Sequence, residues 1–106
     1  MMKNQQDEIN RVQALYREWT QLLPQLQADL ARYKRAANLV AQLEAFYTDG
    51  SYMALMEAEQ QGVVFDTQTA GEYSILSEDA LFDALGDFRH ITLQRLKSAV
   101  VALDSE

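Results

Sequence analysis

The chain has no cysteine, one proline, four glycines and one histidine in 106 residues. Without cysteine, disulfide frameworks, thiolate nucleophiles and cysteine-ligated zinc sites are all excluded. So few prolines and glycines are typical of long helices rather than of a β fold rich in turns. No stretch approaches the roughly 18 apolar residues of a membrane-spanning helix, and residues 1–8 lack the apolar core of a signal peptide. We therefore expect a cytoplasmic protein that does not enter a membrane.

The residues that are present indicate one folded domain. Hydrophobic residues make up 48% of the chain, which is more than a disordered segment contains. The length is that of a single domain with its own core. Because the sequence contains no internal repeat or linker, we expect one helical domain over residues 1–106.

Negative charge is concentrated in the second half of the chain. The net charge is −7, and residues 49–106 hold eleven acidic against three basic residues, whereas residues 1–48 hold five against six. Between residues 49 and 88 there are nine acidic residues and no lysine or arginine. Such a field repels nucleic acid and attracts basic partners, although ordinary solubility is the simpler interpretation. Arg32, Lys34 and Arg35 are too few to bind nucleic acid and are expected to pair with the acidic residues.

Residues 9–40 carry an apolar pattern typical of a long helix. Apolar or aromatic side chains recur in alternating steps of three and four residues through more than four heptads, which places them along one side of an α-helix. Leu15 and Leu22 are among the residues that widen this side beyond a minimal coiled coil. We name the repeating residues the heptad row: Ile9, Val12, Tyr16, Trp19, Leu23, Leu26, Leu30, Tyr33, Ala37 and Val40.

Pro24 leaves two alternatives for this helix. A proline inside a helix removes one backbone hydrogen bond and costs about 3 kcal/mol, so the chain could break into helices at about 4–22 and 25–48. The heptad row, however, continues through Pro24 without a change of phase, which a reversing loop need not preserve. This favours one kinked helix over residues 4–48, about 67 Å long. Because a 106-residue monomer could not cover so long a helix, we expect a homodimer.

A short helix and a loop are predicted next. Gly50 can end the first helix in the left-handed conformation, and Ser51 can cap a helix at residues 52–60 that Gly62 ends. Residues 63–65 are prone to form a strand but are too few for a sheet, and residues 66–74 indicate an ordered loop.

Three signals predict that the last helix begins at Ser77. The Ser77 hydroxyl can accept a hydrogen bond from a first-turn amide. Glu78 and Asp79 would lie in that first turn, where carboxylates complement the helix dipole. Leu76 and Leu81 occupy the two positions of a hydrophobic staple. The sequence therefore predicts a helix from Ser77 to near the end of the chain.

Together these segments predict an all-α fold. A long N-terminal helix, kinked or broken at Pro24, a short middle helix, an ordered loop and a long C-terminal helix would form a helical bundle. Gly86 lies inside the last helix, where glycine costs up to about 1 kcal/mol relative to alanine. We therefore expect Gly86 to mark a close contact between helices.

Two short motifs resemble those of a known family. The aromatic pair Phe46-Tyr47 precedes Gly50 and Ser51, and an Ile-Leu-Ser-Glu-Asp segment within residues 74–83 opens the last helix. With the long first helix, these motifs resemble a small bacterial family known as domain of unknown function 4298. The resemblance covers about residues 9–96 and implies the helical fold, but it implies no activity.

The chain departs from the family pattern by an insertion and three replacements. Thr48 and Asp49 separate the aromatic pair from the following Gly-Ser. Tyr52 stands where a tryptophan is usual, Leu55 where an acidic residue is usual and Ser74 where a glycine is usual. Any role of that acidic residue in the family would be absent from this chain.

Asp79, Asp83 and Asp87 recur every four residues and form an acidic ladder on one side of the last helix. Two of them, with an acidic residue from another helix, could hold Mg²⁺ or Mn²⁺ through oxygen ligands, whereas a solvated charged face is the simpler interpretation. His90 would lie about 20 Å from Ser77 along the helix, too far for a nucleophile and its base. We therefore predict no catalytic residue and no cofactor.

The preferred functional hypothesis is a non-enzymatic cytoplasmic module for protein interaction, homodimeric and acidic on one surface. A basic protein partner would contact that surface through Glu72, Glu78, Asp79, Asp83 and Asp87. One specific form is an immunity or antitoxin-like role, in which the surface occludes a basic site on a toxin. The alternative is a metal-dependent or enzymatic protein that uses the acidic ladder.

Overall fold

The computed structural model describes residues 2–77 and 79–105, and this part of the chain contains three α-helices. Helix α1 spans Met2–Thr48, α2 spans Ser51–Gln60 and α3 spans Ala80–Asp104. No strand forms among the described residues, and residues 63–65 belong to the loop between α2 and α3. The predicted all-α fold, with a long, a short and a long helix, is confirmed.

The chain divides into two compact units. The N-terminal unit is Met1–Ala36, and the C-terminal unit is Ala37–Glu106. The first unit contains the larger part of α1, whereas the second contains the end of α1, all of α2, the loop and α3. The single domain over residues 1–106 stays a prediction.

Helix α1 continues through Pro24, so the alternative of two separate helices is wrong. Pro24 has no amide hydrogen, so it cannot donate a hydrogen bond to the carbonyl oxygen of Thr20. Thr20 is exposed, so water can donate to that carbonyl oxygen in place of the missing amide. Two side chains add bonds on either side of this gap. The Thr20 hydroxyl donates to the Arg17 carbonyl oxygen at 2.7 Å, and the Gln25 side-chain amide donates to the Gln21 carbonyl oxygen at 3.3 Å.

The turn between α1 and α2 depends on Gly50. Its φ is 98°, the left-handed conformation expected at this position. Gly50 is also the N-cap of α2, so the prediction that Ser51 caps this helix is wrong, and Ser51 is its first residue. The Ser51 amide donates to the Asp49 carboxylate at 2.8 Å. Hydrogen bonds from the Ser51 side chain and amide lower the pKa of Asp49.

Three aromatic rings pack across this turn. The ring of Tyr52 meets that of Phe46 edge to face, with 6.3 Å between centroids and an interplanar angle of 83°. It also contacts the ring of Tyr47, whose centroid lies 5.2 Å away. Such arrangements are favourable because the positive edge of one ring faces the negative face of the other. The rings therefore fix the direction in which α2 leaves α1.

Gly62 ends helix α2, as predicted. Its φ is 100°, and its amide donates to the Glu59 carbonyl oxygen at 3.1 Å. The amide of Val63 reaches back to the Ala58 carbonyl oxygen at 3.0 Å. This pair of bonds is the Schellman motif, which satisfies two of the carbonyl groups that a helix end leaves open.

The last helix begins at Ala80, three residues after the predicted start at Ser77. Ser77 closes a turn before the helix, because its amide donates to the Ser74 carbonyl oxygen at 3.0 Å. The Ser74 hydroxyl accepts the amide of Leu76 at 3.1 Å in the same turn. Asp79 is the N-cap residue, although its carboxylate forms no capping hydrogen bond. The prediction of a Ser77 cap is therefore wrong.

Leu76 and Leu81 form the centre of the core, with 9% and 3% of their surfaces exposed. With Asp79 as N-cap, they do not occupy the two positions of a hydrophobic staple, but both are buried as that prediction required. Val40 of α1 and Leu85 of α3 line one hollow, so the end of α1 lies beside α3. The C-terminal unit also supplies half-buried apolar side chains: Val40, Leu43, Phe46, Tyr52, Leu55, Met56, Phe65, Leu85 and Phe88.

Gly86 does not mark a close contact between helices, so that prediction is wrong. The residue is exposed on α3, and a Cβ atom placed there would have no heavy atom within 4 Å. The side of α3 that packs in the core instead contains Leu81, Leu85 and Phe88. Gly86 therefore weakens the helix without a packing benefit in return.

We expect Leu81→Ala to lower the free energy of unfolding by about 2–5 kcal/mol, because it leaves a cavity at the most buried position. Phe82→Ala is the matched control, since Phe82 is the next residue and is 67% exposed. This change and Ser77→Ala should each alter stability by no more than about 0.5 kcal/mol. Chemical denaturation at one protein concentration measures all three, and equal losses for Leu81 and Phe82 would contradict the assigned core.

Two glycines should respond to alanine in opposite directions. Gly62→Ala should destabilise the protein by about 1–2 kcal/mol, because alanine is strained in the left-handed conformation. Gly86→Ala should stabilise it by up to about 1 kcal/mol, because the site is helical and has open space around it. Thermal melts followed by circular dichroism measure both changes. A stabilising Gly62→Ala would show that the Schellman turn is absent in solution.

Candidate functional site

The acidic ladder lies at the start of α3. Asp79 is the N-cap, Asp83 lies in the first turn, and Asp87 follows one turn later. The amide of Asp83 donates to the Asp79 carbonyl oxygen at 2.8 Å, so helical geometry extends over the first step of the ladder. Residues four apart on a helix have Cβ atoms about 5–6 Å apart on the same side. The three carboxylates therefore form a continuous, exposed strip of negative charge.

The ladder has no positive counterpart in the part of the chain described. No ion pair joins Asp79, Asp83 or Asp87 to another described residue, and residues 49–88 contain no lysine or arginine. Arg32 lies 3.8 Å from the carboxylate of Asp29 in α1. Its pairing with the acidic residues, within one chain or across a dimer, stays a prediction. The mutual repulsion of the ladder is lessened only by water, salt and, at Asp79 and Asp83, the positive end of the helix dipole.

Glu72 lies apart from the ladder residues, on the loop between α2 and α3. It lines an open hollow of about 330 Å³ together with Asp66, Phe65, Tyr73 and Leu55, and the ladder residues do not contribute. Sequence reasoning did not predict this hollow, because its walls come from two segments of the loop that meet only in the fold. Leu55 of α2 makes one wall of this hollow apolar. Glu78, the fifth predicted contact residue, lies outside the described residues.

The ladder is not joined by further metal ligands in the described part of the chain. Within residues 2–77 and 79–105 there is no group of three or more histidine or acidic side chains placed to hold a metal ion. The reason is geometric, since three carboxylates along one helix spread over two turns. A site for a hard cation needs oxygen ligands that converge from several directions.

The heptad row is exposed from Ile9 to Leu30 in the N-terminal unit, whereas Tyr33 is half-buried. Each of its large members from Ile9 to Leu30 keeps at least 38% of its surface exposed. Trp19 and Tyr16, which the spacing predicts to be packing residues, are exposed with the others. A single helix has no second element within its unit to pack against, so nothing there can cover this side. The heptad spacing itself is the signal that identifies this surface.

A second hollow lies on this exposed side of α1. It has a volume of about 420 Å³, and its walls are Ile9, Val12, Gln13 and Tyr16, with Glu8 at one edge. Val12, Gln13 and Tyr16 follow Ile9 by three, four and seven positions. The four side chains therefore surround one gap between successive turns of the helix. The arrangement is a shallow, mostly apolar depression on a helix surface.

The residues behind the family resemblance have structural roles in the C-terminal unit. Phe46 and Tyr47 contribute to the aromatic cluster at the turn between α1 and α2. The segment 74–83 contains the turn that precedes α3 and both buried leucines. These motifs therefore explain the fold and leave the chemistry of the exposed surfaces open.

Comparison with known proteins identifies a family for the chain. Over the described residues, no helix combines the length and the apolar character needed to cross a membrane. A search of curated proteins and a search of solved structures each found no match. A family model matches residues 9–98, which is most of the chain. The chain belongs to the family described as Domain of unknown function (DUF4298).

Proposed function

We propose that this protein is a non-enzymatic cytoplasmic module for protein interaction. It acts as a homodimer and presents the acidic ladder, together with Glu72 and Glu78, to a basic protein partner. One specific form of this proposal is an immunity or antitoxin-like role, in which the acidic surface covers a basic site on a toxin. No step of chemistry is required of the module itself.

One observation carries the proposal: the ladder is exposed and has no ion-pair partner among the described residues. Uncompensated like charges one turn apart destabilise a helix slightly. A basic surface brought against them relieves that repulsion and also accelerates association through long-range attraction. The ladder is therefore better suited to binding than to stabilising its own fold.

The homodimer is supported by the exposed heptad row. Exposed apolar patches of more than a few hundred Å² are unusual on monomers and typically mark interaction surfaces. The row supplies such a patch along α1, and neutral or paired side chains flank it: Glu8, for example, forms a 2.7 Å ion pair with Arg11. The two surfaces have different chemistry, so the apolar one suits assembly and the acidic one suits a basic partner.

We expect capture of a basic partner to depend on the ladder. The tagged protein and a variant carrying Asp79→Asn, Asp83→Asn and Asp87→Asn are used to capture proteins from native lysate, and bound proteins are quantified by mass spectrometry. The variant should lose a basic partner by about tenfold or more, since each unit of buried charge pairing is worth roughly 1–3 kcal/mol. Asparagine is as good an N-cap as aspartate, so helix α3 is preserved.

A second triple variant controls for net charge. It carries the substitutions Asp7→Asn, Glu18→Gln and Asp104→Asn. These also remove three negative charges, but from α1 and from the end of α3. This variant should capture the partner as the unaltered chain does, and 0.5 M salt should weaken both. An equal loss of capture in the two triple variants would show that overall charge, rather than the ladder, attracts the partner. Capture that the ladder variant leaves intact would refute the proposal.

The metal-dependent alternative is tested separately. We expect millimolar Mg²⁺ or Mn²⁺ to leave the melting temperature almost unchanged, because a ligand stabilises a protein only if it binds the native state specifically. Asp83→Asn should stabilise the fold slightly by relieving repulsion within the ladder. Titration calorimetry that shows a stoichiometric site, abolished by Asp83→Asn, would instead support the metal-dependent protein.

A further inference from the structure

We infer that the heptad row of the N-terminal unit binds the same row of a second copy of this chain, with the two α1 helices antiparallel. The inference rests on the proposed homodimer and adds to it the surface and the direction of pairing. It concerns residues 9–30 of α1, where the large members of the row are exposed.

The shape of the surface favours a helix as the occupant. The hollow on α1 is lined by Ile9, Val12, Gln13 and Tyr16, which are residues i, i+3, i+4 and i+7. Four residues at this spacing form the hole that accepts one side chain of a facing helix in coiled-coil packing. A flat surface would suit a sheet or loop, whereas this depression suits a single protruding side chain. The partner surface is therefore a helix with apolar side chains at heptad spacing.

The two edges of the row determine the direction of pairing. One edge carries Leu15 and Leu22, with Glu8 and Asp29 at its two ends, each beside an arginine of the same helix. The other edge carries Gln13, Thr20 and Gln27. In a parallel pair each edge faces the opposite edge of the partner, so the leucines would face polar side chains. In an antiparallel pair each edge faces its own counterpart. The leucine edges then bury each other, and the polar edges remain together at the solvent.

An antiparallel register follows from the positions of the hollow and the leucines. If the two-fold axis passes between residues 17 and 18, Val12 lies opposite Leu23 of the second copy, and Tyr16 lies opposite Trp19 of the second copy. Leu15 then lies close to Leu22 of the second copy on the apolar edge. The hollow around Val12 receives Leu23 of the second copy. One chain therefore supplies both the hole and the side chain that fills it.

The size and charge of the surface also suit a second copy. Nine large apolar side chains are exposed between residues 9 and 30, counting Leu15 and Leu22. If each exposes on the order of 100 Å² of apolar surface, together they offer roughly 900 Å². A standard stable interface buries about 800 Å² of surface on each partner. Residues 9–30 contain two basic residues, Arg11 and Arg17, and two acidic residues, Glu18 and Asp29, so the net charge of this segment is zero. Two copies can approach here without the repulsion that the acidic half of the chain would cause.

The surface is tested by one charged substitution and a matched control. Light scattering at tens of micromolar should give twice the chain mass of 12.1 kDa. Leu23→Glu should weaken the dimer by about 100-fold or more and give the monomer mass, because it places a charge in the paired apolar row. Val64→Glu makes the same type of change on the loop, at a residue 92% exposed, and should leave the dimer intact. Circular dichroism verifies that both variants remain helical.

The direction is tested with spin labels, which the absence of cysteine makes straightforward. Asn4→Cys and Glu18→Cys are two heptads apart and therefore lie on the same line along α1, away from the row. In the antiparallel dimer the two labels at residue 4 should be about 40 Å apart along the axis. The two labels at residue 18 should be separated only by the width of the helix pair, roughly 10–20 Å. A parallel dimer would give nearly equal distances at both positions.

Each outcome decides a different statement. A monomer mass for the unaltered chain would refute the homodimer, and with it this inference, while the acidic ladder could still bind a partner. A dimer that Leu23→Glu does not weaken would show that copies meet through another surface. If Leu23→Glu dissociates the dimer but the label distances at residues 4 and 18 are equal, the heptad row is the interface and the antiparallel direction is refuted.

Discussion

A single α-helix cannot cover its own apolar side, and the two units of this chain satisfy that constraint differently. In the C-terminal unit the end of α1, the helix α2, the loop and α3 supply apolar side chains to a shared core around Leu76 and Leu81. The N-terminal unit is one helix, so its apolar row has no cover within the unit. Burial of apolar surface is the main favourable term in folding. Within the first unit, therefore, this term contributes little to stability.

The C-terminal unit shows how a small core is kept in place by local geometry. Gly50 and Gly62 adopt the left-handed conformation at the two ends of α2 and allow the chain to reverse sharply. The aromatic rings at the first of these turns fix the direction of α2, and the turn before α3 brings Leu76 into the core. Few residues are fully buried, so these turns carry an unusually large share of the specification of the fold.

The sequence predicted the helices well but placed two of their starts incorrectly. Periodicity extends over many residues, so the phase of the heptad row correctly indicated that α1 passes through Pro24. A helix start depends on one residue, and Ser77 and Asp79 are equally good N-caps by type. The choice between them is made by the turn that uses the Ser77 amide and that places Leu76 in the core. Gly86 was misinterpreted because a sequence does not reveal which side of a helix is covered.

The candidate sites also differ in whether the sequence could predict them. The acidic ladder and the heptad row were visible in the sequence because each is a repeat along one helix. The hollow beside Leu55 was not, because its walls come from segments that meet only when the loop folds. The hollow on α1 required knowledge that the surrounding side chains stay exposed, which depends on what lies nearby. Periodic surfaces can therefore be predicted from sequence, whereas composite ones cannot.

The uneven distribution of charge also decides how the chain responds to proteases. Trypsin cleaves after lysine and arginine, and neither occurs between Arg35 and Arg89. Residues 36–89, which include α2, the exposed loop and both buried leucines, therefore leave the protein as one tryptic fragment. Exposed loops are normally the first segments that proteases cut. In this protein tryptic cleavage reports the opening of α1 and α3 alone. Motion of the loop is detected by a protease that cleaves at acidic or aromatic residues, since the loop contains Asp66, Glu72 and Tyr73.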